Sequence, residues 1–145
     1  MLEKGHNVNV TIRSTIEDAG EKEINTSQQM GRLFRKNNTD VLLYEEIDED
    51  GDQINNLLTI QTDKVNIKRS GFISMNQRFE PGQKTETNYQ HPHGNMFMET
   101  HTHSIVYNAL DSDIHGKLTI NYTVTLNGMI ERKHLLELTY KEEGS

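Results

Sequence analysis

The stretch RSGFISMNQRFEPG, Arg69 to Gly82, places Ile73, Met75, Gln77 and Phe79 on one side of an extended chain and Ser74, Asn76 and Arg78 on the other. A period of two over seven residues is the pattern of a half-buried β-strand, and Pro81-Gly82 ends it. The apolar side carries one uncharged polar residue, Gln77, which therefore points inward. A buried amide must find hydrogen-bonding partners or open onto a solvated cavity, so this strand belongs either to a packed core or to the wall of a binding site.

The same period extends outward in both directions. Toward the N-terminus, Val8, Val10, Ile12, Ser14 and Ile16 alternate with polar residues up to a turn at Asp18-Ala19-Gly20. A second strand is expected over residues 21–36, with a bulge or bend at Gly31. Shorter strands follow over 41–47, 54–62 and 65–69, the first closed by the acidic turn DEDGD. Toward the C-terminus, strands are expected over 85–93 and 96–107, joined around Gly94-Asn95. Leu118, Ile120, Tyr122, Val124 and Leu126 alternate with Lys117, Thr119, Asn121, Thr123 and Thr125, and Asn127-Gly128 is a hairpin turn signal leading into a last strand over 130–140.

The composition agrees with an all-β chain. Only two alanines stand against fourteen threonines, so the best helix former is scarce and a strand former abundant. About ten strands joined by short turns make an antiparallel up-and-down meander, with Arg69–Gly82 as its middle strand. Closing it into a barrel of about eight to ten strands removes the exposed edges. A length of 145 residues fits one domain, residues 1–145. A net charge of -7 disfavours nucleic acid and anionic membrane surfaces as partners. With no cysteine and no apolar leader or 18-residue apolar run, the expected setting is the cytoplasm.

Four segments, TIRSTIEDAGEKE from Thr11, LLYEE from Leu42, Arg69 to Gly82, and GKLTINYTV from Gly116, resemble in order and spacing the YwiB-like family of uncharacterised bacterial proteins. The resemblance spans nearly the whole domain. It implies a lipocalin-like, calycin-type β-barrel in the cytoplasm and brings no activity, cofactor or site residue with it.

Candidate ligand-binding residues are the polar side chains on apolar faces: Arg69 beside Val65 and Ile67, Gln77 beside Met75 and Phe79, and Arg132 and His134 in line with Leu136 and Tyr140, joined by Tyr44 and Tyr122. An inward arginine is costly unless it is paired, so Arg69 is expected to meet a carboxylate such as Glu45 or an anionic ligand. The expected function is a small cytoplasmic binding protein whose barrel holds a small amphipathic or anionic molecule. The plainer role for the same side chains is to tie strands together near the barrel mouth. The alternative is a protein–protein interaction module using the outer sheet surface. A metal-binding or enzymatic barrel ranks behind both. It would use the two histidine pairs His91/His93 and His101/His103, each spaced by two on a strand, as weak candidates for ligands of zinc, nickel or copper. DEDGD lacks the frame of a calcium loop and reads as a solvated turn. No strained glycine-flanked serine is present for nucleophilic catalysis, and no cofactor is implied.

Overall fold

The structure, a computed structural model, describes residues 5–110 and 114–143. Ten antiparallel strands follow one another: β1 (His6–Asp18), β2 (Glu21–Lys36), β3 (Thr39–Ile47), β4 (Gln53–Ile60), β5 (Val65–Gly71), β6 (Met75–Phe79), β7 (Lys84–His91), β8 (Gly94–Leu110), β9 (His115–Leu126) and β10 (Ile130–Glu142). They form one sheet in the order β6-β5-β4-β3-β2-β1-β10-β9-β8-β7. Each strand pairs with its chain neighbour, except that β1 pairs with β10 and no ladder joins β6 to β7. The chain is thus an all-β, nearly closed barrel, and no described helix is long and apolar enough to cross a membrane.

The stretch 69–82 is central in the chain but not in the sheet. It supplies the end of β5 and all of β6, and β6 lies at the seam where the barrel closes. One bridge, Ser74 with Gln90, spans that seam through two backbone hydrogen bonds of 3.0 and 2.8 Å. Threonine side chains do the rest: Thr85 Oγ1 donates to the Arg78 carbonyl at 2.6 Å and Thr87 Oγ1 to the Asn76 carbonyl at 3.2 Å. Hydroxyls capping carbonyls in this way satisfy a strand edge that a ladder would otherwise use.

Because successive strands reverse, the β1–β2, β3–β4, β5–β6, β7–β8 and β9–β10 turns share one end of the barrel. Asn127 and Gly128 both hold positive φ, 51° and 73°, as a tight hairpin turn between β9 and β10 requires. The opposite end is plugged. Asp40, only 5% exposed, accepts from Arg35 Nε at 2.6 Å on Oδ1 and from Arg35 Nη2 at 3.1 Å on Oδ2, and Tyr107 donates to Oδ2 as well. The Tyr140 hydroxyl completes the network, 2.7 Å from Tyr107 Oη and within 3.4 Å of Arg35 Nη2. Above the plug lies an apolar belt that includes Leu33, Leu42, Leu58, Val65, Phe79, Leu118 and Leu138, all fully buried.

Two expectations are corrected by the ladders. Gly31 marks no bulge, because β2 keeps continuous register with β1 through it, and the β2–β3 ladder ends at this residue. It is glycine because a Cβ there would come within 2.7 Å of the Leu43 carbonyl oxygen. The register shift lies instead in β8 between Thr102 and Ser104, where His103 is the extra residue. That bulge exchanges the faces of β8: Thr100 and Thr102 point inward before it, and Ile105 and Tyr107 after it. The strand expected over 85–93 ends at His91, so His93 lies in the β7–β8 turn and not on a strand face. Pro92 explains the early end, since it has no N–H to continue the ladder.

Candidate functional site

Three rows of side chains cross β3 to β6 in register. Asp40, Ile60, Val65 and Phe79 form the row nearest the plug; Leu42, Leu58, Ile67 and Gln77 form the next; Tyr44, Asn56, Arg69 and Met75 form the row nearest the open end. Polarity therefore rises toward the open turns. Between the upper two rows and the facing strands lies a cavity of about 450 Å³, partly open to solvent. Its wall is apolar where Ile12, Leu58, Ile67, Met75, Leu136 and Leu138 line it. It is polar where Ser14, Asn25, Ser27, Tyr44, Glu46, Asn56, Arg69, Gln77 and Tyr122 do.

Among the described residues Arg69 is the one cation of that wall and Glu46 the one anion. The two meet: Arg69 Nη2 lies 3.3 and 3.4 Å from the Glu46 carboxylate oxygens. Asn56 closes a triangle with them, accepting from Arg69 Nε at 3.1 Å and donating to Glu46 Oε1 at 2.9 Å. The expected partner of Arg69, Glu45, is corrected by the parity of β3. Leu42, Tyr44 and Glu46 share the inner face, so Glu45 stands outside and exposed.

The hydroxyls of Tyr44 and Tyr122 have no hydrogen-bonding partner among the described residues, although both residues are more than nine-tenths buried. Burial, and for Tyr44 also the Glu46 carboxylate, pushes each phenol up, Tyr122 to about 12, against the opposing pull of Arg69. Both are neutral donors at any ordinary pH. The Tyr122 ring is held edge-on by Phe79, centroids 4.8 Å apart, and stacked by His134 at 4.9 Å. Gln77, 6% exposed, donates one N–H to Thr100 Oγ1 at 2.8 Å and keeps its carbonyl and second N–H for the cavity.

Of the six residues singled out from the sequence, Arg69, Gln77, Tyr44 and Tyr122 line this one cavity. His134 stands behind Tyr122, and burial together with the neighbouring Arg132 charge pulls its pKa down to about 4. Arg132 lies apart: its Nε donates to Asp18 Oδ2 at 3.2 Å, and it faces a separate depression with Glu21 and Glu23 near the β1–β2 turn.

The metal candidates are not brought together either. Each histidine pair keeps its own rings close, centroids 5.2 Å apart for His91 and His93 and 4.6 Å for His101 and His103. The two pairs are remote from each other. His91 pairs with Gly94 at the turn and His101 with Lys84, seven register steps away, or about 24 Å along the strands. His93, in the turn, is exposed, and its backbone amide donates to His91 Nδ1 at 3.0 Å. That bond makes the first pair a local cap of the β7–β8 turn. His91 also packs edge-on against Phe72 and stacks with Tyr89, whereas His103 bonds Thr123 Oγ1 at 2.7 Å on the outside of the barrel. Among the described residues none of the four histidines belongs to a cluster of three ligand-bearing side chains. In the DEDGD turn, Asp48 Oδ1 accepts from the backbone amides of Asp50 and Asp52 at 3.0 and 2.8 Å, which makes it a self-capped turn.

Sequence reasoning passed over Glu46 and Asn56. Both were accessible to it, because Leu42-Tyr44-Glu46 and Ile54-Asn56-Leu58-Ile60 each alternate without interruption. Chemically, the cavity presents one neutralised ion pair and several uncharged donors. No imidazole lines it and no second carboxylate stands beside Glu46, so a pair for general acid and base work is not assembled there among the described residues.

The family described as a domain of unknown function, DUF1934, matches residues 10–138. The uncharacterized beta-barrel protein YwiB of Bacillus subtilis (strain 168) is 29% identical over 134 residues, 92% of either chain. The crystal structure of the ywiB protein from Bacillus subtilis has a TM-score of 0.86 to this fold at 28% identity, over 97% of this chain and 94% of that one. The barrel implied by the four quoted segments is thus the architecture of a solved relative.

Proposed function

Since the chain belongs to the DUF1934 family, a β-barrel family whose name assigns no activity, we propose from its cavity that it is a binding protein for a small amphipathic molecule. The observation that supports this most is the contrast within one 450 Å³ space, aliphatic on one side and lined on the other by Arg69, Tyr44, Tyr122 and Gln77. Two phenol hydroxyls on largely buried rings have no protein partner among the described residues and open onto the cavity, the arrangement of a site that a ligand or water fills and not of a packed core. A plug at one end and an opening at the other also match how closed antiparallel barrels hold a single small ligand. The cysteine-free, acidic composition favours the cytoplasm as the setting.

The test is native mass spectrometry of gently purified protein for a retained small molecule, then thermal-shift screening against small amphiphiles, with Met75→Trp as a cavity-filling control. The reading expects a retained mass or at least one stabilising compound, lost in Met75→Trp. It fails if no compound shifts the wild type, or if the filled variant responds equally.

A further inference from the structure

We infer, resting on the reading of the cavity as a binding site, that its ligand carries an uncharged head group with both a carbonyl and an N–H, an amide-type head, in preference to a carboxylate. Arg69 is already engaged within the wall. Its Nε and Nη2 are given to Asn56 and Glu46, so its charge is balanced inside the wall before any ligand arrives. A carboxylate entering here would make two anions share one cation and would lose its hydration for a site of no net charge, which is unfavourable in a partly buried space.

The remaining hydrogen-bonding groups have a definite pattern. Donors left over include the hydroxyls of Tyr44 and Tyr122, one N–H of Gln77 and Nη1 of Arg69, beside the Ser14 and Ser27 hydroxyls, and these suit a ligand carbonyl. Burial keeps both phenols protonated, so they remain donors across the physiological range. The acceptors left over are the Gln77 carbonyl and Glu46 Oε2. Oε1 already receives Asn56 and Arg69, whereas Oε2 receives only the longer 3.4 Å contact, and it suits a ligand N–H. An amide head matches both sets at once; an ester matches the donors alone; a carboxylate matches the donors and opposes Glu46. The aliphatic wall of Ile12, Leu58, Ile67, Met75, Leu136 and Leu138 takes the hydrocarbon part, and the volume limits it to a small molecule.

Isothermal titration of the intact protein with two matched pairs, octanoate with octanamide and hydrocinnamate with hydrocinnamamide, reads the preference directly. In the wild type at neutral pH the better amide is expected to bind at least about tenfold tighter than its carboxylate, with little dependence on salt. In Glu46→Gln the carboxylate should gain about tenfold or more while the amide changes less, because the opposing charge has gone and the shape has not. A wild type that prefers either carboxylate, or a Glu46→Gln variant that leaves the ratio unmoved, overturns the head-group inference and leaves the binding reading standing. If no member of either pair binds up to about 1 mM, or Met75→Trp binds them as well as wild type, the cavity reading itself falls and this inference with it.

Discussion

Gln77 Nε2 donates to Thr100 Oγ1 at 2.8 Å, and this bond joins β6 to β8 across the seam that no ladder closes. Both residues are buried, Thr100 completely. The amide that marked the inner face of the stretch 69–82 therefore has two roles: one N–H ties the barrel shut and the rest of the group faces the cavity.

Replacing Gln77 by Leu keeps much of the volume but leaves the Thr100 hydroxyl buried without this donor. A loss of about 1–2 kcal/mol is expected, read from urea unfolding at unchanged m-value. Adding Thr100→Val should return part of that loss, since removing both partners costs less than removing one. A double variant that loses the full sum of the two single losses would show the bond to be energetically idle.

How much of this was legible follows from what period two can and cannot say. The inward face of Gln77 and Arg69 is local information, fixed by the pleat, and the structure agrees. The partner of Gln77 lies 23 residues away on a strand that is not its ladder neighbour, so only closure of the barrel brings it near. Glu46 was within reach of parity, because Tyr44 and Glu45 cannot share a face. Tyr107 was not, since the extra residue His103 reverses the faces of β8 and turns Tyr107 into the plug. Spacing by two misled at His93, where the chain has already left the strand and the pleat no longer sets the direction of the side chain. Arg132 has the correct parity but sits too near the open end, where it finds Asp18 and not the cavity.

The plug itself should be sensitive to its one central carboxylate. Asp40→Ala removes the acceptor for two Arg35 nitrogens and the Tyr107 hydroxyl from a site 5% exposed. A destabilisation of about 3 kcal/mol or more is expected by denaturant titration, well beyond that of removing a surface acid such as Glu49.

Gly116 tests the packing of the same end. A Cβ at this position would fall 2.5 Å from Tyr140 Oη and 2.6 Å from Tyr140 Cζ, and the hydroxyl of that ring is held by Arg35 and Tyr107. Gly116→Ala should therefore cost about 1–3 kcal/mol through overpacking, although alanine is normally as good as glycine or better in a strand. Tyr140→Phe in the same chain should give back little, because the ring carbons crowd the methyl group as well. A Gly116→Ala variant as stable as wild type would mean that the ring moves freely.

Arg69 should behave in the opposite way to Asp40. Its side chain is 25% exposed and that of Glu46 is 34%, so solvent screens the pair and its net contribution is about 0–1 kcal/mol. Arg69→Met is expected to change the unfolding midpoint little while altering whatever the cavity binds. A large loss of stability, with ligand response intact, would make Arg69 a structural strut.

The last prediction concerns acid. His134 stacks on Tyr122, opposite Ile16 of β1 and one turn of the pleat from Arg132, and its pKa falls from 6.5 to about 4 because burial and the Arg132 charge disfavour the imidazolium. In the unfolded chain the same imidazole takes up its proton near pH 6.5, so between about pH 6.5 and 4 the unfolded state holds more protons than the folded one. Stability contributed by this group is complete above pH 6.5 and is lost as pH falls through that window. Discounted for partial exposure, the loss attributable to His134 is roughly 1–2 kcal/mol. His134→Phe keeps a ring against Tyr122 and removes the proton site. Its stability should fall less steeply than that of wild type over the same window. Parallel curves for the two proteins in urea titrations across that range would place the acid sensitivity elsewhere in the barrel.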